Sequence, residues 1–171
     1  MSSLSTTLDH MTTDRDWFLA LAAREDPHIP LGEDEWSLAQ TIEHLVLVER
    51  GFLAGIMRAK DPLPERTPEQ AELRAKVNAW LRSGEKYEVP VSGVDPGPQP
   101  DLEALLADWT KVRERLHARI ENGLPGDDVL VAVHPIAGPL NAPEALEFLA
   151  YHLVYHRVRV QQLLDLTPSH P

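Results

Sequence analysis

Two histidines four residues apart, His152 and His156, have the spacing of side chains that bind one metal ion. No Gly or Pro occurs in residues 144–167, so the pattern predicts one helix that begins after Asn141 and ends before Pro168. On a helix, a step of four residues returns to within roughly 40° of the starting direction. Both imidazoles therefore lie on one helical face, where they supply two ligands to a shared ion.

A catalytic zinc-type site normally takes three protein ligands and leaves a position for water or substrate. Four of the other histidines lie beside polar neighbours, in a turn or in the tail and are poor candidates: His10, His28, His117 and His170. His44 lies in an apolar stretch of a predicted helix, where an unpaired imidazole would be costly. It is the best third ligand. His134 stays outside the predicted metal set; it either fixes its loop, which we favour, or contacts substrate as an acid or base.

Helices are predicted to carry these histidines. Helical periodicity covers about residues 5–24, 37–59 and 101–122, in addition to the histidine-bearing segment. Ser37 with Gln40 forms a capping box at the start of the second segment. Helices of about 20 residues are typical of a four-helix bundle, so the fold class is predicted to be all-α.

The chain between the second and third long helices is irregular. Residues 68–82 predict a shorter helix with Thr67 as cap, and residues 84–100 predict a Pro- and Gly-rich loop. This excursion either shapes a pocket mouth or is a plain crossover. A second irregular stretch is predicted at residues 124–139. With no separating linker, residues 1–171 are predicted to form a single domain.

Composition limits the classes of function. The 171 residues are 43% hydrophobic and 25% charged, with a net charge of −11 and no basic run, which argues against nucleic acid as a partner. The absence of cysteine excludes thiolate ligands, disulfides and a cysteine nucleophile. Neither a signal peptide nor an apolar stretch of roughly 20 residues is visible, so we expect a cytoplasmic protein that does not bind membranes.

Three passages together resemble the DinB-like family of small metal-binding bundles, which includes YfiT-type hydrolases and thiol S-transferases. The first passage is Trp36 to Leu45, a Trp-led capping turn that runs into a helix with a His ligand. The second, His134 to Leu140, is similar to the family's His-Pro-x-x-Gly-x-Leu loop. The third, Tyr151 to Arg157, resembles the final-helix pair of ligands. With the first helix, the resemblance covers nearly the whole chain.

The resemblance implies an up-down-down-up four-helix bundle with a long crossover between the second and third helices. It also implies a divalent ion, often nickel or zinc, bound by His44, His152 and His156. Family members often pair, so the resemblance implies a homodimer as well.

Three imidazoles suit Zn²⁺, Ni²⁺, Cu²⁺ or Fe²⁺, and an open position on the ion allows it to activate water or a thiol. Together with this chemistry, the resemblance implies a metal-dependent enzyme that acts on a small-molecule substrate, either as a thiol S-transferase that activates a low-molecular-weight thiol or as a hydrolase that activates water. Two alternatives stay open: a metal-binding protein without catalysis, and a stress-associated structural bundle. No catalytic residue is assigned from the sequence.

The surroundings of the site are predicted only in outline. Each ligating imidazole should donate its second N–H to an acceptor. The candidate acceptors are a backbone carbonyl and four carboxylates: Glu43, Glu49, Glu144 and Glu147. Tyr155 and Arg159 are candidates for orienting an anionic substrate, and Arg159 is equally a candidate for an ordinary ion pair. Four aromatic residues are predicted to lie in the core: Phe18, Trp36, Trp109 and Phe148.

Overall fold

Five helices and one two-stranded hairpin make up the computed structural model, which describes residues 3–85 and 93–166. The helices and strands, in chain order, are α1 (Ser3–Ala22), α2 (Leu38–Arg58), α3 (Pro68–Ser83), α4 (Leu102–Glu121), β1 (Ala132–His134), β2 (Gly138–Leu140) and α5 (Ala142–Leu166). The predicted all-α class is confirmed, with four long helices and α3 as the short extra one. Part of the predicted loop over residues 84–100 lies outside the described residues.

Helix starts follow the caps visible in the sequence. Ser37 and Gln40 form both hydrogen bonds of the predicted capping box, so α2 begins where its first free N–H groups find an acceptor. Thr67 and Gln70 form the same box at α3. At the end of α3, Gly84 has a φ of 72°, a left-handed conformation that glycine adopts without steric cost.

The long helices run up, down, down and up. Near the start of α2, Gln40 donates to the carbonyl of Gly97, shortly before α4 begins. After the end of α2, the amide of Leu130 donates to the carbonyl of Asp61, shortly after α4 ends. Because these contacts join like ends, α2 and α4 run parallel. Helix α1 runs antiparallel to α2, since the amide of Ala39 in the first turn of α2 donates to the carbonyl of Pro27, shortly after α1 ends. Helix α5 is also antiparallel to α2, because Gly32 before α2 lies near Leu163 at the end of α5, and Gly55 near the end of α2 lies against Val131, before α5 begins.

The long helices enclose one apolar core. Its largest fully buried side chains include Met11 and Phe18 from α1, Ile42 from α2 and Trp109 from α4. A smaller apolar cluster lies between α3 and α5, around Val77, Leu81, Phe148 and Tyr155. The predicted core positions of Phe18, Trp109 and Phe148 are therefore confirmed.

The prediction of an irregular stretch at residues 124–139 is partly wrong. A hairpin forms there, with Ala132 paired to Leu140 and His134 paired to Gly138. Gly138 has a φ of 74°, which suits the tight turn of so short a hairpin. Three-residue strands give too short a pattern to be recognised in a sequence, because alternation is read over at least four residues.

Among the described residues, none of the helices combines the length and apolar character needed to cross a membrane.

Candidate metal centre

The three predicted ligands come together between two helices. The Nε2 atom of His152 lies 3.1 Å from Nε2 of His44 on α2 and 3.1 Å from Nε2 of His156, one turn further along α5. One ligand atom from each ring lies within 4.8 Å of the other two. His44 and His156 are each only 9% exposed, whereas His152 is half-buried. The bundle thus places three imidazoles around one point.

A backbone carbonyl orients His44. Its Nδ1 lies 2.8 Å from the carbonyl oxygen of Val94, in the loop that precedes α4. A carbonyl oxygen only accepts hydrogen bonds, so Nδ1 carries the proton and Nε2 of a neutral His44 presents a lone pair. Of the acceptors predicted for the second N–H of each imidazole, His44 uses a backbone carbonyl and not a carboxylate.

The four candidate carboxylates have other partners. Glu43 accepts from the amide of Gly97 at 2.6 Å, and Glu147 accepts from the side chain of Asn78. Glu49 is held by Arg113 in the core, at 2.6 Å. Glu144 forms ion pairs with Arg66 and Arg74 at the start of α5. These pairings leave the carboxylates anchored to the bundle and to the crossover.

Burial keeps the three histidines neutral. It lowers the pKa of His152 well below the usual 6.5, and the neighbouring His156, His44 and His134 lower it further. The pKa of His156 is also well below 6.5, through burial and through His44. Burial lowers the pKa of His44 as well, although the hydrogen bond to Val94 acts in the opposite direction. Neutral imidazole is the form that binds metal ions.

Aromatic rings surround the imidazoles. The Trp36 ring stacks on His156 with an interplanar angle of 9° and centroids 6.4 Å apart, and it lies 5.0 Å from the ring of His44. Phe148 stacks on His152 at 5.7 Å. The prediction that Trp36 lies in the core is wrong, because this side chain is 36% exposed and lies over the histidines. Its position immediately before the N-cap Ser37 puts it outside the helix, and that signal was readable in the sequence.

His134 lies beside the centre and holds the hairpin turn. Its Nδ1 accepts hydrogen bonds from the amides of Ile136 and Ala137, at 3.2 and 2.9 Å. The favoured expectation that His134 fixes its loop agrees with these contacts. The ring also packs at 4.8 Å from Phe148 and lines the cavity described below.

The two candidate substrate-orienting residues have partners of their own. Arg159 forms an ion pair with Glu35 at 2.6 Å, and this pair ties α5 to the loop that carries Trp36. The ring of Tyr155 is buried and packs 5.0 Å from the ring of Trp80. The expectation of an ordinary ion pair for Arg159 agrees with this contact; a role toward substrate stays a prediction.

Among the described residues, no other histidine joins the group of three converging ligands. His10, His28 and His117 are exposed, as the sequence predicted for His10 and His117. His170 lies outside the described residues.

A cavity of about 1070 Å³ opens from the three histidines. It is bounded by α2, α3 and α5, by the hairpin, by the loop that contains Trp36 and by the loop that contains Val94 and Asp95. Cavities of small-molecule sites typically measure about 300–1,000 Å³, so the space accommodates a substrate of considerable size. The sequence analysis offered only the excursion before α4 as a pocket mouth, since the walls of the cavity come from six separate segments.

Comparison with known families supports the resemblance noted in the sequence. A family model described as the DinB superfamily matches residues 7–158, a range that contains all three converging histidines. No curated protein and no solved structure matches the sequence. The match extends over most of the chain, from α1 well into α5. The chain therefore belongs to the DinB superfamily.

Proposed function

We propose that His44, His152 and His156 bind one divalent metal ion and that the protein is an enzyme that uses this ion. The ion would activate a low-molecular-weight thiol or a water molecule for attack on a small-molecule substrate. The observation that carries the proposal is the convergence of three Nε2 atoms, with separations of 3.1 Å in two pairs.

Hydrogen bonding within the cluster does not account for this convergence. Nε2 of neutral His44 presents a lone pair, because its Nδ1 donates to Val94. Without a proton on Nε2, His152 directs its own lone pair toward that of His44. With a proton there, His152 has a single N–H to share between two acceptors. A cation between the rings would turn all three lone pairs into favourable contacts.

The spacing of the nitrogens also fits a small divalent ion. Tetrahedral Zn²⁺ with bonds of about 2.0–2.1 Å places its ligand nitrogens about 3.3 Å apart. The two measured separations of 3.1 Å are close to that value. Nickel and zinc are the ions we propose, since both accept neutral imidazole.

An ion with three protein ligands has room for a further ligand, and it lowers the pKa of the water or thiol that it binds. The residues of the chain supply the rest of the site. Val94 orients His44, Trp36 and Phe148 shield the imidazoles from solvent, and the cavity gives a substrate access to the histidines. These features support catalysis more than simple metal storage, because storage requires no cavity of this size.

Elemental analysis of the purified protein, combined with an activity screen, tests the proposal. We expect one nickel or zinc ion per chain. We also expect turnover of a model electrophile, either with an added thiol, which indicates a transferase, or without one, which indicates a hydrolase. One bound ion with no turnover in either assay would favour a non-catalytic metal-binding protein. Failure to bind nickel or zinc would overturn the proposal and favour a structural bundle.

A further inference from the structure

We propose that the cavity beyond the histidines binds an apolar group of the substrate, such as an aromatic ring, while the reactive end of the substrate meets the ion. This inference rests on the proposed function. The apolar chamber, as we call this part of the cavity, is defined by six residues: Val48 and Phe52 from α2, Leu73, Val77 and Trp80 from α3, and Phe148 from α5.

The chamber is continuous with the metal centre. Phe148 stacks on His152 with ring centroids 5.7 Å apart, and Phe52 stacks on Phe148 at 5.3 Å. A flat group bound against Phe52 and Phe148 would therefore lie beside the imidazole at the centre of the triad. Aromatic pairs favour such offset stacking at centroid separations of about 4.5–7 Å.

Charge is distributed unevenly along the cavity. The carboxylates in its wall are near the histidines: Glu35 and Asp34 precede Trp36, and Asp95 follows the Val94 that binds His44. Lys76 lines the cavity beside the chamber, but its side chain is 67% exposed and its ammonium group pairs with Glu72 at 2.7 Å. An apolar group is therefore best accommodated at the chamber end, since there it displaces water without stripping a charge of its solvent.

Helix α3 supplies the chamber with a stripe of apolar side chains. Leu73, Val77 and Trp80 are separated by four and three residues, so they lie on one face of the helix, toward α5. Val77 is buried, whereas Leu73 and Trp80 are half-buried and line the open space. The crossover between α2 and α4 thus does more than connect two helices, because its helix forms one wall of the chamber.

Gly51 is an exposed position in the wall of the cavity, which makes it a site for a test. It lies inside α2 on the face shared with His44 and Val48, and it lines the cavity. A Cβ atom at Gly51 would meet nothing within 4 Å, so packing does not require glycine. At Gly55, by contrast, a Cβ would collide with the carbonyl oxygen of Val131. A larger side chain at Gly51 would therefore extend into the open space at the cavity wall without displacing its neighbours.

Binding of the neutral fluorescent probe N-phenyl-1-naphthylamine to the metal-free protein tests the inference. We expect saturable binding with one site per chain. Gly51→Trp, which fills the chamber, should weaken binding at least tenfold, whereas Gly51→Ala should leave the dissociation constant within about twofold. Equal probe affinity of the wild type and Gly51→Trp, or no binding of the probe to the wild type, would overturn the inference that the chamber binds apolar groups.

A second pair of variants approaches the chamber from α3. Leu73→Glu should weaken probe binding at least tenfold, and Ala71→Glu, which places the same charge on the exposed side of α3, should not. Loss of probe affinity in both glutamate variants, or in neither, would contradict the inference. Circular dichroism identifies any variant that fails to fold, and either pair decides the question.

The chamber and the metal centre can fail separately. His152→Ala should lose the ion and keep probe affinity within about threefold, whereas Gly51→Trp should keep the ion and lose the probe. A protein that binds the probe but no metal would refute the proposed function alone. A protein that binds metal but no probe would refute the chamber alone.

Discussion

At the level of single residues, one hydrogen bond defines the state of the centre. The contact from Nδ1 of His44 to the carbonyl of Val94 directs the Nε2 lone pair toward His152 and His156. The loop before α4 is therefore part of the candidate metal centre, although it supplies none of the three histidines. Trp36 and Phe148 cover the rings from two sides, so the imidazoles lose solvent and stay neutral.

Replacing each ligand should remove the ion and leave the fold. We expect His44→Ala, His152→Ala and His156→Ala each to abolish metal retention, because two imidazoles bind far more weakly than three. Helicity should stay largely intact, since the core of the bundle does not depend on these rings. Elemental analysis and circular dichroism measure both effects. His134→Ala is the matched control and should retain the ion; full metal occupancy in His44→Ala would contradict the triad.

The metal-free protein should lose stability as the pH falls below 6.5. The folded pKa values of His152 and His156 lie well below the usual 6.5, so between the two values the unfolded chain binds more protons. The contribution of the two neutral histidines to folding stability is fully present above their pKa in the unfolded chain. It is lost as the pH falls toward their pKa in the folded protein. Urea unfolding in the presence of a chelator at pH 7.5 and at pH 5.5 measures it. In the variant with both His152 and His156 changed to Ala, the free energy of unfolding should differ less between the two pH values. An equal difference in the variant and the wild type would contradict this account.

A buried ion pair in the core is a second feature at this scale. Arg113 on α4 donates from two nitrogens to Glu49 on α2, each at 2.6 Å, and both side chains are at most 4% exposed. Glu49→Leu should lower the free energy of unfolding by about 3–5 kcal/mol, because it leaves a buried guanidinium without its partner. Adding Arg113→Met should recover most of the loss. Urea unfolding of both variants tests this, and a loss below about 1 kcal/mol for Glu49→Leu alone would contradict it.

At the level of the helices and strands, the helix caps arise from neighbouring residues, whereas the packing contacts arise between distant segments. The caps of α2 and α3 arise within four consecutive residues, so they were predictable. The hairpin near His134 depends on pairing across a turn and on packing against α2, where Gly55 admits the carbonyl of Val131. Such a contact joins distant segments and leaves only a glycine as a trace in the sequence.

The two glycines inside α2 should respond oppositely to alanine. Gly51→Ala should raise the free energy of unfolding by about 0.5–1 kcal/mol, because alanine is the better helix former and its Cβ meets open space. Gly55→Ala should lower it by about 1–3 kcal/mol, since its Cβ would collide with Val131. Each variant controls for the other, because both make the same change in one helix. Equal effects in chemical unfolding would show that helix propensity alone decides.

At the level of the whole molecule, the bundle brings a crossover of about 40 residues to the side of the metal centre. Of the two alternatives for the crossover, a pocket mouth or a plain connection, the structure favours the pocket mouth, because α3 lines the cavity. The predicted up-down-down-up order agrees with this path, since parallel α2 and α4 require a long connection.

Homodimerisation stays a prediction at this scale. Met57 on α2 is 50% exposed, a large apolar side chain on an outer helix face. We expect sedimentation equilibrium at micromolar concentration to give twice the chain mass of 19.2 kDa. Met57→Lys should shift the mass toward that of one chain if this face forms the interface. A mass of one chain for the wild type would contradict the prediction.

The helices, their caps and the placement of His152 and His156 on one helical face were predictable from the sequence, because helical period and capping are local. His44 was predicted as the third ligand, but it lies 108 positions from His152, so the convergence arises only in the folded chain. The same holds for the contact of Val94 with His44, the cover of Trp36 over the rings and the lining of the cavity by α3. Trp36 shows the difference most clearly: its place before the N-cap is local, but its stacking on His156 joins residues 120 positions apart. Such contacts are set by the packing of distant segments, and a single sequence carries no record of which segments meet.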